Sequence, residues 1–427
     1  MTQTNARSRA EIAARHWEGQ DVAELLARSA AVLPAISPTE AGTQGRSITF
    51  STTEHRAPIN LGGGIPDPDS LPVSGLQNAI NRVFETTSEA ALRYGGIFGF
   101  EDLRQVLADR QGRIQGVQLG VENFLVTHGS SGGIDAVCDT FLNPGDVCIV
   151  ERPNFAGSLR TIRGHLCEIV EADLGEDDGY ADRVEEALQR LEAEGKRAKL
   201  LYTVPDHHNP TGANMSLAVR EKLVEVCARH RVFLLEDMAY TELYFDEPPP
   251  PSLYAIADGY GVIQVGSFSK VVATGLRVGW IQARLPVIES VGRVRFDMGG
   301  SPLLHRALAL YVGSGELEPH VDMLRDIYRR KSETLANSLR EHCEPYLRFE
   351  DPKGGFFLWG ECIGATTQDF MREAAVEGVL FAAGSNFYKE REAADTSHVR
   401  LALSYASVEE LADVGPRFLR AFQRVVD

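Results

Sequence analysis

The chain has 427 residues, of which 43% are hydrophobic and 24% charged, and a formal net charge of −17 at pH 7. This length and composition are typical of a soluble globular protein with one large domain and a smaller one. The acidic balance argues against nucleic acid and anionic membranes as partners, since both bind basic surfaces. No uninterrupted apolar run reaches membrane-spanning length.

Residues 1–60 differ from the rest of the chain. The stretch 1–15 is polar and charged, without the apolar core of a signal peptide, and the six cysteines form no CxxC pair. Both observations favour a cytoplasmic protein with reduced thiols. Apolar residues at helical spacing predict a helix over 22–32, with Asp21 as its N-cap. The following stretch, 34–56, is rich in Ser, Thr, Gly and Pro and is predicted to be a loop or arm.

An α/β pattern begins near residue 100. Helices are predicted over 101–111 and 217–229, and apolar strand-like runs lie at 124–127, 147–150, 199–204, 232–235, 262–265 and 278–283. This spacing favours a mostly parallel sheet covered by helices. Apolar residues over 317–341 predict a long helix leading into a second domain. We therefore expect an N-terminal helix and arm over 1–60, a large domain over 61–310 and a small domain over 311–427.

The stretch Ser267-Phe268-Ser269-Lys270, followed by Gly275-Leu276-Arg277-Val278-Gly279, carries the most specific chemistry. It offers one amine, two hydroxyls and one guanidinium. That set suits an aldehyde cofactor with a phosphate, because the amine can form a Schiff base and the other groups can hold the phosphate. Seven of the 43 Lys and Arg residues are lysines. Arg cannot replace Lys as a Schiff-base nucleophile, because it does not deprotonate.

Three further motifs suit the same chemistry. A buried-strand pattern ends at Asp237, with Tyr240 three residues later, and Asn209 opens an Asn-Pro-Thr-Gly turn. Ser130 and Ser131 lie between a predicted strand and a predicted helix over 134–142, where backbone N–H groups and the helix dipole favour a phosphate. Each motif alone has a structural alternative: the aspartate can cap a helix, the tyrosine can be a core residue, and the Gly/Ser and Asn-Pro sequences can be ordinary turns.

In this order, and together with Tyr94 and Arg400, the motifs resemble the pyridoxal-phosphate (PLP) aminotransferases of fold type I, class I/II. The nearest type is the aminoadipate/kynurenine type, which also forms the effector domain of MocR-like regulators. The resemblance implies an α/β fold, with a mostly parallel mixed sheet in a large domain and a small α+β domain. It also implies PLP as cofactor, an amino acid and a 2-oxo acid as substrates, and a homodimer with a shared active site.

The resemblance implies roles for individual residues. Lys270 forms the Schiff base and moves the proton, Asp237 pairs with the pyridine nitrogen, and Tyr240 hydrogen-bonds the ring hydroxyl. The other implied cofactor-binding residues are Ser130, Ser131, Phe155, Asn209, Ser267, Ser269, Arg277 and, from the neighbouring subunit, Tyr94. The implied substrate-binding residues are Arg400 for the α-carboxylate, Asn209 and Gly64.

Four positions depart from the residues usual in that family. Ser131 stands where relatives have glutamine, and Phe155 where they have Tyr or Trp. His207 and His208 replace an aromatic residue and a glutamine. A histidine there is either an extra acid or base or ordinary variation at a strand end.

Two functions stay open at this point. The first is transfer of an amino group between an L-amino acid and a 2-oxo acid through Lys270. The second is another PLP reaction on the same scaffold, such as C–S or β-elimination, decarboxylation, oxidative deamination or cyclisation, since the substrate pocket decides which bond breaks. A ligand-sensing regulator is disfavoured, because residues 1–60 are too short for a winged helix-turn-helix with its linker.

Overall fold

The computed structural model describes residues 21–34, 58–175, 177–390 and 395–426, together with Glu11 and Ala14. Its larger sheet has seven strands in the order β2-β8-β7-β6-β5-β3-β4. The strands are β2 Phe124–Thr127, β3 Val147–Arg152, β4 Glu168–Asp173, β5 Ala198–Thr203, β6 Phe233–Asp237, β7 Val262–Ser267 and β8 Gly279–Gln282. Strands β4, β3, β5, β6 and β7 are parallel to one another, whereas β8 runs antiparallel to β7 and β2. The predicted mostly parallel mixed sheet is thus confirmed.

Helices cover both faces of this sheet, because alternate residues of its strands are apolar on opposite sides. Cys148 and Val150 of β3 pack into one hydrophobic cluster, while Val147 and Ile149 pack into another. The helices of this part are Glu101–Gln115, Gly129–Phe141, Ala156–Gly164, Tyr180–Ala193, Leu217–His230, Leu253–Ile256, Leu285–Gly292 and Pro302–Gly313.

The smaller sheet has five strands in the order β1-β11-β12-β10-β9. They are β1 Ile59–Leu61, β9 Leu347–Phe349, β10 Phe357–Cys362, β11 Val379–Ala383 and β12 His398–Ala402. The remaining longer helices are Val73–Ala91, Leu317–Cys343, Thr367–Val376, Val408–Ala412 and Val414–Val426. Strand β1 was not predicted. It pairs in parallel with β11, so residues 59–61 join a sheet built mainly from the C-terminal part of the chain. The division at 60 and 310 stays a prediction.

The N-terminal segment 21–34 differs from its prediction. A 3₁₀ turn, Val22–Leu25, is followed by a short helix, Arg28–Ala31, with extended backbone at Leu26 and Ala27 between them. Asp21 does cap the first turn, accepting a hydrogen bond from Ala23 N. The side chains that would form an apolar face stay open to solvent, 63% exposed at Val22, so tertiary packing does not stabilise one longer helix. The expected arm over 34–56 lies almost wholly outside the described residues.

Among the described residues, no helix is both long and apolar enough to cross a membrane.

Candidate active site

The predicted catalytic residues follow the carboxyl ends of neighbouring strands in the larger sheet. Asp237 is the last residue of β6, and Ser267 is the last residue of β7, three positions before Lys270. Parallel strands place their carboxyl ends at one edge, which is where open α/β sheets bind ligands. Loops from this edge and residues of the smaller sheet enclose the site.

Lys270 lies among aromatic side chains at this edge. Its Nζ donates a hydrogen bond to the Gly64 carbonyl at 2.7 Å and lies 5.6 Å from the centre of the Tyr240 ring and 5.7 Å from that of Phe356. Burial lowers the pKa of this amine to about 8, although the nearby Asp237 carboxylate opposes the shift. A neutral, nucleophilic amine is therefore well populated near physiological pH.

Asp237 is a buried carboxyl group with two hydrogen-bond donors. The Tyr202 hydroxyl donates to its Oδ2 at 2.9 Å, and Ala239 N donates to its Oδ1 at 3.1 Å. Burial raises its pKa to about 6, while the hydroxyl and amide donors hold the pKa down. The group is thus mainly a carboxylate at neutral pH. Tyr202 had not been identified from the sequence.

Arg400 and Asn209 meet between the two sheets. Arg400 Nη1 donates to Asn209 Oδ1 at 2.9 Å, and its Nη2 donates to the Gly62 carbonyl at 2.6 Å. The guanidinium carbon lies 4.4 Å from the Phe357 ring centre and 4.7 Å from that of Phe387. Arg400 Nε is buried without a hydrogen-bond partner. Burial lowers the pKa of Arg400 to about 10, so a charged, incompletely paired guanidinium remains at neutral pH.

The hydroxyls and the guanidinium that the sequence predicts to bind a phosphate lie around the start of one helix. Ser267 Oγ lies 2.8 Å from Ser269 Oγ, and Ser269 N donates to Ser267 Oγ at 3.0 Å. The helix Gly129–Phe141 begins with Gly129 at φ +71°, and a Cβ there would lie 3.0 Å from Arg277 Nη2. Arg277 therefore covers the helix N-terminus, where free N–H groups favour an anion. Ser130 is half-buried and Ser131 exposed in the same first turn.

Comparison with known proteins identifies the family. The sequence profile described as aminotransferase class I and II matches residues 56–414. The chain belongs to this family. Aromatic-amino-acid aminotransferase 1 of Thermococcus litoralis is 29% identical over 358 residues, which are 83% of this chain and 85% of that protein. The 2-aminoadipate transaminase of Thermus thermophilus is 30% identical over 364 residues, 84% of this chain and 87% of that protein.

A solved structure of an aminotransferase has the same fold as this chain. The α-aminoadipate aminotransferase of Thermus thermophilus, complexed with N-(5′-phosphopyridoxyl)-L-leucine, superposes with a TM-score of 0.83 at 27% identity. The superposition covers 95% of this chain and 99% of that one. This aminotransferase therefore has the type I fold of PLP enzymes, and its cofactor is pyridoxal 5′-phosphate.

The residues of this aminotransferase suit that cofactor. A phosphate dianion needs several donors, which Arg277, the serine hydroxyls and the helix start provide. An aldehyde needs an amine of lowered pKa, as Lys270 has, and a pyridine nitrogen needs a buried carboxylate, as Asp237 has.

Gly64 cannot carry a side chain without moving its neighbours. A Cβ at this position would lie 2.7 Å from Phe357 Cζ and 3.6 Å from the Tyr240 hydroxyl oxygen. Both aromatic residues are buried, and burial raises the pKa of Tyr240 well above its usual value. The glycine thus allows the 62–64 backbone to approach Lys270 and Arg400 closely.

Two further predicted cofactor residues are Tyr94 and Phe155. Tyr94 is 88% exposed and borders a cavity of about 890 Å³ that His128, Asp297 and Met298 also line. Phe155 is half-buried and precedes the helix Ala156–Gly164, where its ring packs over Gly157. Their roles stay predictions.

The two histidines of the 205–212 turn have different surroundings. The His207 ring is buried against Gly354, neither ring nitrogen has a hydrogen-bond partner, and burial lowers its pKa to about 4. His208 Nδ1 lies 2.8 Å from Thr211 Oγ1, and its Nε2 lies 3.1 Å from Glu151 Oε2 without hydrogen-bond alignment. The His207 ring thus packs against glycine backbone and the His208 ring supports the turn through Thr211, while a role of either in catalysis stays a prediction.

Proposed function

We propose that this aminotransferase moves the amino group of an L-amino acid to a 2-oxo acid, with Lys270 as the residue that holds the cofactor and moves the proton. The placement of Lys270 carries the proposal. Its amine has a lowered pKa, lies among aromatic rings and lies close enough to Asp237 and Arg400 for both charges to act on it. Membership of the family supports it.

Pyridoxal phosphate, when bound, supplies an aldehyde for the amino group and a ring that withdraws electrons from the substrate α-carbon. Asp237 would keep the ring nitrogen protonated, because its carboxylate is buried and held by Tyr202. Tyr240 and Asn209 would hydrogen-bond the ring hydroxyl. Ser130, Ser131, Ser267, Ser269 and Arg277 would hold the phosphate, and Phe155 would stack on the ring.

Lys270 has the pKa that a proton carrier needs. A group with a pKa near the working pH can both accept and return a proton, and the Lys270 value is about 8. In this role its amine would take the proton from the substrate α-carbon and deliver it to the former aldehyde carbon of the cofactor, on the other side of the linking nitrogen. The aromatic surroundings exclude water that would compete for that proton.

Arg400 would bind the substrate α-carboxylate, with Asn209 and Gly64 beside it. The planar guanidinium matches a carboxylate with two parallel hydrogen bonds. Its orientation is already set by Asn209, by the Gly62 carbonyl and by the rings of Phe357 and Phe387. The unpartnered Nε is a further donor in this region.

A second copy of the chain would complete the site and provide Tyr94. Large apolar side chains lie open to solvent near this residue: Leu92 is 70% exposed and Phe296 91% exposed. Such a patch favours association, and a two-fold dimer places the same patch on both subunits. We also propose that this homodimer acts in the cytoplasm.

A single-turnover reaction tests the proposed function. The holoenzyme is mixed with a panel of L-amino acids in the absence of any 2-oxo acid, and the cofactor and organic product are identified by mass. Recovery of pyridoxamine phosphate with the matching 2-oxo acid is expected. Consumption of substrate with recovery of unchanged pyridoxal phosphate would instead show elimination, decarboxylation or oxidation. Absence of reaction throughout the panel would contradict transamination of the standard amino acids.

A further inference from the structure

We propose that Lys331 and Asp67 are positioning residues that hold the glycine-rich segment 62–66 over the active site. Through this segment they would set the positions of the Lys270 amine and the Arg400 guanidinium. The inference rests on the proposed function for its catalytic consequence. The position of the segment itself can be measured without any turnover.

Lys331 forms a buried ion pair with Asp67. Its Nζ lies 2.6 Å from Asp67 Oδ2 and donates to the Ser404 carbonyl at 2.8 Å. The side chains are 4% and 12% exposed. The ion pair thus connects the long helix Leu317–Cys343 to the residue that follows the glycine-rich segment. We call Asp67, Lys331 and Ser404 the clamp.

Besides the ion pair, two hydrogen bonds hold the far end of the segment. Asp67 follows Pro66 directly, and its backbone N–H donates to the Tyr328 hydroxyl at 3.1 Å. Ser404 Oγ donates to the Ile65 carbonyl at 2.6 Å, next to Gly64. The near end of the segment is fixed by β1, which pairs with β11. Three consecutive glycines lie between these anchors, and glycine loses more backbone freedom on ordering than any other residue.

The segment contacts both cations of the site through backbone carbonyls. Gly62 O accepts from Arg400 Nη2 at 2.6 Å, and Gly64 O accepts from Lys270 Nζ at 2.7 Å. A carbonyl can orient a side chain only if the backbone that bears it is fixed. Since the glycines themselves add no side-chain packing, the clamp is the fixed point on the C-terminal side.

A neutral double variant separates this role from a purely structural one. Lys331→Met alone leaves Asp67 as an unpaired buried charge and is expected to destabilise the fold. Lys331→Met combined with Asp67→Asn removes both charges, and such replacements of buried ion pairs are often nearly neutral in stability. The double variant is therefore expected to keep the thermal midpoint of the wild type while losing the ion pair; the hydrogen bonds of Asp67 N to Tyr328 and of Ser404 Oγ to the Ile65 carbonyl remain.

The experiment measures the segment and the kinetics in the double variant. Hydrogen–deuterium exchange of the apoenzyme is expected to accelerate at least tenfold in peptides over 58–70, while the core strands keep their protection. In the holoenzyme, KM for an amino acid substrate is expected to rise about tenfold or more, with a smaller change in kcat, because Arg400 loses its support. The matched control is Lys222→Met with Asp182→Asn, an ion pair that is 45% and 55% exposed.

Unchanged exchange over 58–70 in a folded double variant would overturn the proposal, whatever reaction the enzyme catalyses. Faster exchange with an unchanged KM would overturn the link to Arg400. If the wild type turns over no amino acid, the proposed function fails, while the exchange measurement still tests the clamp.

Discussion

The Tyr202 hydroxyl donates a hydrogen bond to Asp237 Oδ2 at 2.9 Å, and both residues are buried. The bond stabilises the carboxylate form and so opposes the rise in the pKa of Asp237 that burial causes. Tyr202→Phe removes the donor and keeps the ring. We expect the pKa of Asp237 to rise by about one unit or more above its present value of about 6, since hydrogen bonds to charged groups contribute about 1.5–3 kcal/mol.

The measurement is the pH titration of the Asp237 carboxyl in the apoprotein, followed by NMR of aspartate carboxyl carbons. The midpoint for Asp237 in the Tyr202→Phe variant should lie above that of the wild type. Tyr254→Phe changes a buried tyrosine in a different hydrophobic cluster and serves as the control. The same midpoint in both variants would show that Tyr202 does not act on Asp237.

The lowered pKa of Lys270 predicts how the stability of the apoenzyme depends on pH. Between about pH 8 and pH 10.5, the unfolded chain binds a proton at Lys270 and the folded chain does not. The free energy of unfolding of the wild type therefore rises with pH through that window. Lys270→Met removes the amine and with it the free-energy cost of burying its charged form. The variant should be more stable than the wild type at pH 7, by up to about 3 kcal/mol, with the difference shrinking toward pH 10.5.

Urea unfolding of both apoproteins at pH 7 and pH 10 measures this difference. A difference that is the same at both pH values would mean that the Lys270 amine titrates normally in the folded chain. The Lys270→Met holoenzyme preparation should also lack covalently bound cofactor.

Gly64→Ala should impair substrate binding through Phe357. The added Cβ would lie 2.7 Å from Phe357 Cζ, and this ring packs against the Arg400 guanidinium. The segment or the ring must move, and we expect KM for the amino acid to rise about tenfold or more, which corresponds to about 1.4 kcal/mol. At Gly63 the nearest atom to an added Cβ is Ile65 Cδ1 at 3.5 Å, an ordinary contact. Gly63→Ala should therefore have a clearly smaller effect, and equal effects would exclude the clash as the cause.

The proposed role of Tyr94 in the partner's site predicts that two inactive variants restore activity when their subunits form a mixed dimer. If Tyr94 serves the partner's site, a mixed dimer of Tyr94→Ala and Lys270→Ala subunits contains one site with both native residues and one site with neither. Equal mixing of two nearly inactive variants should then restore roughly a quarter of wild-type activity. Mixing is done under conditions that exchange subunits, followed by an assay and by light scattering. No gain of activity in a confirmed mixed dimer would place Tyr94 outside the shared site.

The strands and the family motifs could be predicted from the sequence because their signals are local. The runs that became β2, β5 and β7 are almost wholly buried, so each is rich in apolar residues on both faces, with Lys199 and Gln264 as interruptions. Asp237 stands out as an acidic residue at the end of strand β6, and Lys270 as a lysine three residues beyond the end of strand β7.

The remaining features depend on contacts between distant segments. Tyr202 is an ordinary strand residue by sequence, and its bond to Asp237 arises only because β5 and β6 are neighbours. Strand β1 has three residues and forms only by pairing with β11, more than 300 positions later. The single helix expected over 22–32 does not form, because its apolar side chains stay largely exposed and gain little from packing.

The pairing of β1 with β11 also has a consequence for synthesis of the protein on the ribosome. Gly62 and Arg400, which share a hydrogen bond, are separated by 338 positions, so this contact can form only when nearly the whole chain has been made. The strands that bear Asp237 and Ser267 are complete much earlier, and domains generally fold as their residues emerge. A nascent chain stalled before β11 would therefore contain Asp237 and Lys270 while lacking Arg400, the residue proposed to bind the substrate carboxylate.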